Sequence, residues 1–517
     1  MNGKHVRLSW QKSIAYFQGS SSRRSRPSRP SIYLFLAIGI LILGNLVPLW
    51  SFTYFPSFDH PAHLLRQNIL ANYNNPQFDY NQHFVIQRLP VPNSLSDYIV
   101  VFLAQFIPLG VASKIFYSLL FVFFPLSLLY YLYAVRPGNC YLALSGCLFS
   151  YNYLLLIWGN ENFCLSIPLF FIIYGYWWTH KDHLGAREYT LLSCLWSALY
   201  FSHILGFALL MLSIFFTSLI ESRSLRKSAL AVLPSSLGVI MYIWWNFHRG
   251  EYFDNPIIWN FKISDKLHSL REVFFFGEKI GFPPYLQFGM LLFLVCYSLL
   301  FLSFLVKGKR EVTTRGILFN FFLLLLLVLL LPNWFILFGP DQRTLIVALF
   351  FGLPLLLIPS RTIKGIFAVF LVVFSLYYNV VIFGYFSREN QVLSEHKVVL
   401  DKIPPLQKLL PLVLPPYTFF PAYHRFFEYY HLEKGGINPF HATQPIFSVD
   451  YVKRPPSSGI YNFSVKDLSP TILSYYDFIL VVGNKDDMLH QTLERMFLTN
   501  GYKLFYKYKI YTIFNRQ

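Results

Sequence analysis

The sequence predicts an α-helical polytopic membrane protein that carries a small α/β domain at its C-terminal end. Three observations point there. Hydrophobic residues make up 55% of the 517 positions and charged ones only 13%, about half the share of a soluble globular chain. The 43 Lys and Arg outnumber the 25 Asp and Glu, for a formal charge of +18. These cations fall in short clusters between apolar runs, the pattern that orients spans in a bilayer, and no basic stripe interleaved with stacking aromatics marks a nucleic-acid partner. Finally, apolar runs of roughly 15–22 residues recur from residue 31 to residue 386, most of them long enough to cross the hydrocarbon of a bilayer.

Taken in order, residues 1–30 hold Lys4, Arg7, Lys12, Arg23, Arg24, Arg26 and Arg29 in a Ser/Arg/Pro-rich stretch that has too little apolar surface to fold alone. It is expected as a disordered cytoplasmic tail. The run from Ser31 to Thr53 is too long for a signal-peptide core and no A-x-A-like site follows it, so it is expected as an uncleaved anchor with its N-terminus inside. Further spans are expected near 115–134, 140–157, 163–178, 228–247, 286–306, 317–338, 344–358 and 366–386. Two stretches are ambiguous: Ser94–Gly110 is short for a crossing, and Tyr189–Ile220 is too long for one and short for two. The inside markers Arg223, Arg226, Lys227, Lys307, Lys309, Arg310, Arg315, Arg361 and Lys364 couple the two. Laying the first along the membrane and breaking the second near Ser202-His203 puts Arg136 and the Lys181–Arg187 loop inside as well. That choice gives about eleven spans and sends the loop 54–114, the turn around Glu161, the His203 break, the loop 248–285, the turn before Arg343 and everything after 386 to the outer face.

The tail, 387–517, is expected as a separate extracytoplasmic α/β domain. Tyr476–Gly483 (YDFILVVG) reads as a buried strand, Lys485–Thr499 as a helix and Tyr502–Phe514 as a strand or hairpin. The aromatic, His-rich stretch Tyr423–His431 is expected against the membrane surface. All five cysteines lie in or beside apolar runs, with no CxxC pair, and read as packing residues.

Polar residues at the outer edges of the spans are the candidates for chemistry. In the first outer loop, Phe58-Asp59-His60-Pro61-Ala62-His63, Asp59 can cap the helix that follows or serve as a general base in a partly buried setting. Asp59, His60 and His63 together could hold a divalent metal. Glu161 sits between two apolar runs, where a carboxylate is costly unless it faces protein or water; a water-exposed turn is the plainer account. His203 at the break is either a packed, satisfied imidazole or a ligand contact. Arg343 opens a span from the outer side, against both the helix dipole and the positive-inside trend, which suggests an anionic partner or a pairing with Asp341.

This combination resembles the GT-C fold of membrane glycosyltransferases, here a bacterial-type polytopic member. The resemblance rests on the uncleaved first span, the acid-containing first outer loop (FDHPAH, 58–63), a membrane-hugging helix, the second outer acid Glu161, many further spans and an outward C-terminal domain. It implies an enzyme of the cell (plasma or inner) membrane that takes a sugar from a polyprenyl-phosphate carrier and transfers it, with inversion, to an extracytoplasmic glycan, lipid or protein. By the same resemblance Asp59 is the first-loop acid acting as base or metal ligand, Glu161 the second-loop acid, and Arg343 the cation at the carrier phosphate, with His60 and His203 beside the substrate. No cofactor is implied beyond a divalent metal. This chain has His60 where many members carry a second acid, and Asn160 and Asn162 flank a single acid. A non-catalytic scaffold and a lipid or polysaccharide transporter are the alternatives; the transporter would need ionisable groups near the bilayer midplane and repeated broken helices, and only His203 lies deep.

Overall fold

A computed structural model describes residues 30–248, 262–278, 280–307, 312–332, 339–357, 360–440, 447–456, 468–484 and 487–516. The basic tail expected over 1–30 lies outside these residues except for Pro30. Six described helices are long and apolar enough to cross a bilayer: Ile32–Ser51, Leu109–Val135, Ile204–Ser222, Leu225–His248, Pro284–Val306 and Arg361–Leu400. The chain is a multi-pass membrane protein. Its helices sort their faces as a lipid solvent requires. On Ile32–Ser51, Tyr33, Leu36, Ile40, Leu43, Val47 and Trp50 are exposed at steps of three and four, while Ile38, Leu41, Asn45 and Leu49 are buried. Ile366, Val369, Val373, Leu376, Val380 and Phe383 repeat the exposed stripe on Arg361–Leu400, the packed neighbour of the first helix.

Both ambiguous stretches take the arrangement that charge counting favours. Leu95–Ala104 is a ten-residue helix, about 15 Å long and too short to cross. The long run breaks into Ala186–Ser202 and Ile204–Ser222, with His203 extended at φ −163° and ψ 125°. Arg136 Nη1 donates to Pro354 O (2.7 Å), Lys364 Nζ to Gly138 O (3.2 Å), and Lys181 pairs with Glu221. Those basic loops therefore share one end of the bundle.

Two expected spans, 140–157 and 344–358, are not continuous helices. The first is a 3-10 segment Pro137–Ala143, a short helix Leu144–Leu148 and a turn of helix Tyr153–Leu156; the second is Pro340–Phe351 followed by a 3-10 turn at Leu353–Leu355. Breaks in an apolar setting survive only where other groups satisfy the freed backbone. Here Asn45 Nδ2 donates to Cys147 O (3.0 Å), Tyr131 OH to Phe351 O (2.9 Å), and Asn139 Nδ2 to Leu353 O (3.1 Å) and Leu356 O (3.0 Å). At Gly146 an added Cβ would lie 2.9 Å from Pro125 Cα, so the broken segment packs backbone to backbone against Leu109–Val135. The cysteines are free thiols.

The helix Arg361–Leu400 runs 40 residues, about 60 Å, out of the bundle and into the tail; the boundary expected after 386 falls inside it. Beyond it lies a four-stranded sheet in the order β2–β4–β6–β5, with β2 (Leu409–Val413) parallel to β4 (Phe478–Val482) and the hairpin β5 (Tyr502–Tyr508)–β6 (Tyr511–Arg516) antiparallel. The strand read from YDFILVVG is β4, buried at all five positions. Its alternate side chains feed two clusters: Ile479 and Val481 join Leu493 and Phe497 of the helix Met488–Thr499, while Phe478, Leu480 and Val482 face Leu393, Leu400 and Phe426. The Tyr423–His431 stretch, expected against the membrane surface, packs between the sheet and the loop that follows the first helix, with Phe426, Phe427, Tyr430 and His431 buried in protein. The tail also lends β3 (Val449–Tyr451) to β1 (Phe84–Ile86) of that loop. Lys434 Nζ caps the long helix by donating to Leu400 O, Asp401 O and Ile403 O at 3.1, 3.0 and 2.7 Å.

Candidate functional site

The loop that follows the first helix and the turn before Glu161 are joined backbone to backbone. Phe58 N donates to Ile157 O (2.7 Å) and Asp59 N to Trp158 O (3.2 Å). Gly159 makes this approach feasible. Its φ of +74° suits glycine, and a Cβ there would meet Ser57 Oγ at 2.7 Å and His60 N at 3.0 Å. Pro61 then starts the helix His60–Ala71 near its first position, where a missing N–H costs nothing, and that helix aims His63, Arg66 and Gln67 at Glu161.

Glu161 opens the helix Glu161–His180, ahead of the apolar 163–178 stretch, and is 1% exposed. Its Oε1 accepts from Ser96 Oγ (2.8 Å) and Gln67 Nε2 (3.0 Å), its Oε2 from Tyr117 OH (3.1 Å), and His63 Nδ1 lies 3.3 Å away. A water-exposed turn is therefore not its setting. Burial, with the Asp97 charge nearby, lifts its carboxyl to about 7. Beside it Arg66 holds Asp97 with both Nε (2.8 Å) and Nη2 (3.0 Å), and Ser448 Oγ adds a third donor to Asp97 at 2.9 Å. Both partners are buried, and the fork matches the carboxylate.

Asp59 behaves differently. It stands at the helix N-cap but makes no capping bond. Its side chain, one-third exposed, turns to Arg425 of the tail, with Nε 3.1 Å from Oδ1. Burial raises its carboxyl above the ordinary range, against the pull of Arg425, Arg66 and Arg343. Arg343 is buried, with its guanidinium carbon 5.5 Å from the centre of the Phe163 ring. Asp341, the partner considered for it, is held instead by Lys266 Nζ (3.1 Å) and Ser269 Oγ (3.2 Å). His203 edges onto the same Phe163 ring at 5.1 Å and its Nδ1 accepts from Leu205 N (3.1 Å), a helix cap. His60 Nδ1 lies 3.1 Å from Tyr117 OH, and burial drops its imidazole to about 3. It lines a small cleft of about 30 Å³ between the end of the first helix and the start of Leu109–Val135, with Tyr54, Lys114, Tyr117 and Tyr429.

The structure thus gathers Asp59, Glu161 and Arg343 at the end of the bundle opposite Arg136. It does not assemble Asp59, His60 and His63 as one metal-binding set, because they face Arg425, Tyr117 and Glu161 respectively. The donors that do converge, within 4.8 Å of one another, are His63, Asp97 and Glu161. They do not fit a divalent ion in this arrangement: Arg66 occupies both Asp97 oxygens and touches His63 Nδ1, while three neutral donors fill Glu161. A permanent guanidinium charge stands where a metal would.

No family model matches the chain, and no curated protein matches its sequence. Solved structures do match. ArnT from Cupriavidus metallidurans in the apo state aligns over 93% of this chain and 97% of its own, with a TM-score of 0.57 at 9% identity. The chain has the GT-C fold. ArnT bound to undecaprenyl phosphate gives the same coverages and identity with a TM-score of 0.55. Against this fold, reading the sequence missed Arg66, Asp97, Ser96, Gln67, Tyr117 and Arg425. Arg66 and Asp97 each carried a signal: one follows His63 by three on the same helix face, the other is the sole charge in Leu95–Ala104.

Proposed function

We propose that the chain is an integral-membrane glycosyltransferase that moves a sugar from a polyprenyl-phosphate carrier to an extracytoplasmic acceptor with inversion. The observation that carries this reading is the meeting of Asp59, Glu161 and Arg343, distant in sequence, at one end of a GT-C-fold bundle. Asp59 is the one of the three that both avoids a structural bond to its own helix and stays partly open, as a base must. In the proposed step the acceptor hydroxyl gives its proton to Asp59, its oxygen bonds the anomeric carbon, and the bond from that carbon to the carrier phosphate breaks. One displacement inverts the centre. Arg343 offsets the charge that grows on the departing phosphate, and Glu161 ties the first-loop helix, Ser96 and Tyr117 into a rigid wall behind the base. That ArnT binds undecaprenyl phosphate supports a carrier of this class. The bundle end holding the site is then the extracytoplasmic one, with the basic loops in the cytoplasm.

The test is sugar transfer from polyprenyl-phosphate sugars by the purified chain, comparing wild type with Asp59→Asn and Glu161→Gln. Loss of turnover in Asp59→Asn is expected; equal turnover in all three would end the proposal.

A further inference from the structure

At Asp59 the tail reaches into the site through a buried cation. Arg425 is 3% exposed although it carries a full charge, and it is held from behind. Its Nη1 donates to Phe440 O (3.0 Å) and lies 3.8 Å from Glu428 Oε1, while Glu428 Oε2 accepts from Asn438 Nδ2 (3.1 Å). Asn438 is fixed in turn, its carbonyl accepting from Tyr451 OH (2.7 Å) on the strand β3 that pairs with the first outer loop. Next to Arg425, the His424 ring packs on Phe58 with centres 4.7 Å apart. The front of the guanidinium meets Asp59, and nothing in the sequence joins these two residues except the fold. Burying an arginine this completely is costly unless its geometry is used.

Resting on the reading of Asp59 as the base, we infer that Arg425 is its positioning residue: the buried guanidinium, with Nε 3.1 Å from Oδ1, holds the ionised carboxylate on that side by its charge and leaves Oδ2 to take the acceptor's proton. The charged groups around Asp59 are Arg425 and Glu428 from the tail, Arg66 from its own helix and Arg343. Among these Arg425 is the largest influence favouring the ionised form, and Glu428 opposes it. A neutral residue at 425 therefore leaves Asp59 both free to rotate and protonated at higher pH. A lysine keeps the charge but not the planar fork. Removing Glu428's charge strengthens the remaining Arg425–Asp59 pair.

The experiment uses the full chain in detergent, with Arg425→Gln, Arg425→Lys and Glu428→Gln. Dicyclohexylcarbodiimide, which modifies buried carboxyls in their protonated form, is applied across a pH series, and the Asp59 peptide is followed by mass spectrometry. Arg425→Gln is expected to move the midpoint of Asp59 modification up by a pH unit or more, Arg425→Lys to leave it near wild type, and Glu428→Gln to move it down. In the transfer assay Arg425→Gln should lose turnover at least tenfold at neutral pH, with KM little changed and partial recovery at higher pH; Arg425→Lys should fall between. A midpoint that stays put in both Arg425→Gln and Glu428→Gln overturns the inference, even where turnover drops. If the midpoints move as expected but Asp59→Asn remains fully active, the pairing stands and the base assignment fails. If Arg425→Gln does not fold, Glu428→Gln and Arg425→Lys decide through the same readout.

Discussion

Replacing Glu161 by glutamine separates a buried neutral acid from a buried charge. Folded Glu161 titrates near 7 instead of the ordinary 4.5. Unfolded chain loses the proton first as pH rises, so stability is highest below pH 4.5, falls up to pH 7 and then levels off. The gap of about 2.5 units corresponds to about 3 kcal/mol. Glutamine has the same shape, and Oε1 can still accept from Ser96 and Gln67. Its new amide can donate to the Tyr117 hydroxyl, which then turns to His60 Nδ1, 3.1 Å away. Glu161→Gln should therefore lie within about 1 kcal/mol of wild type at pH 4.5 and exceed it by up to about 3 kcal/mol at pH 8. Glu161→Ala should be destabilised at both, by about 1–3 kcal/mol for each donor left without an acceptor. The assay is unfolding in mixed micelles titrated with SDS and followed by tryptophan fluorescence. A Glu161→Gln difference of the same size and sign at pH 4.5 and pH 8 would refute the argument that burial governs this carboxyl.

Three further outcomes follow from the geometry. Asp59→Asn should lower turnover by about 10²–10⁴ in a chain that still folds, and the wild-type kcat/KM should rise with pH through a limb above the ordinary carboxylate value of about 4, because burial raises this group. Arg66→Met should cost about 3–5 kcal/mol by leaving Asp97 buried without its partner, and adding Asp97→Leu should restore most of that loss, read as the coupling in a double-mutant cycle. Gly159→Ala meets Ser57 Oγ at 2.7 Å in a left-handed conformation. About 1–3 kcal/mol of backbone strain is expected, with turnover falling because the Asp59 and Glu161 segments no longer close on each other.

Much of this was legible from composition and spacing. The exposed stripes on Ile32–Ser51 and Arg361–Leu400 are the apolar periodicity of the sequence turned toward lipid, and the strand in YDFILVVG needed only its run of apolar residues. The break at His203 could be read because charge counting on other loops favoured it over a single long helix. What stayed hidden depends on distant side chains. The stretch 140–157 is as apolar as any span, and its breaks rest on donation by Asn45 and contacts with Pro125 that no local pattern reveals. Asp59, Glu161 and Arg343 stood out as polar residues at span edges. Arg66 and Asp97 were passed over, since the helix-face spacing from His63 and the lone charge in Leu95–Ala104 gain meaning only when the two are found together. Arg425 sat in a stretch whose aromatics suggested a membrane surface, when they in fact pack beneath the sheet.

The pairing of β1 with β3, the serine on Asp97 and the arginine at Asp59 tie the tail to the rest of the chain. A chimera that grafts another protein's tail onto this bundle would need to supply a matching strand edge, a hydroxyl and a guanidinium together, or lose all of these ties. Natural recombination between the first outer loop and the tail faces the same demand. Exchange of either part alone is thus expected to fail, and substitutions should be tolerated best on the helix Met488–Thr499 and the far hairpin strand β5.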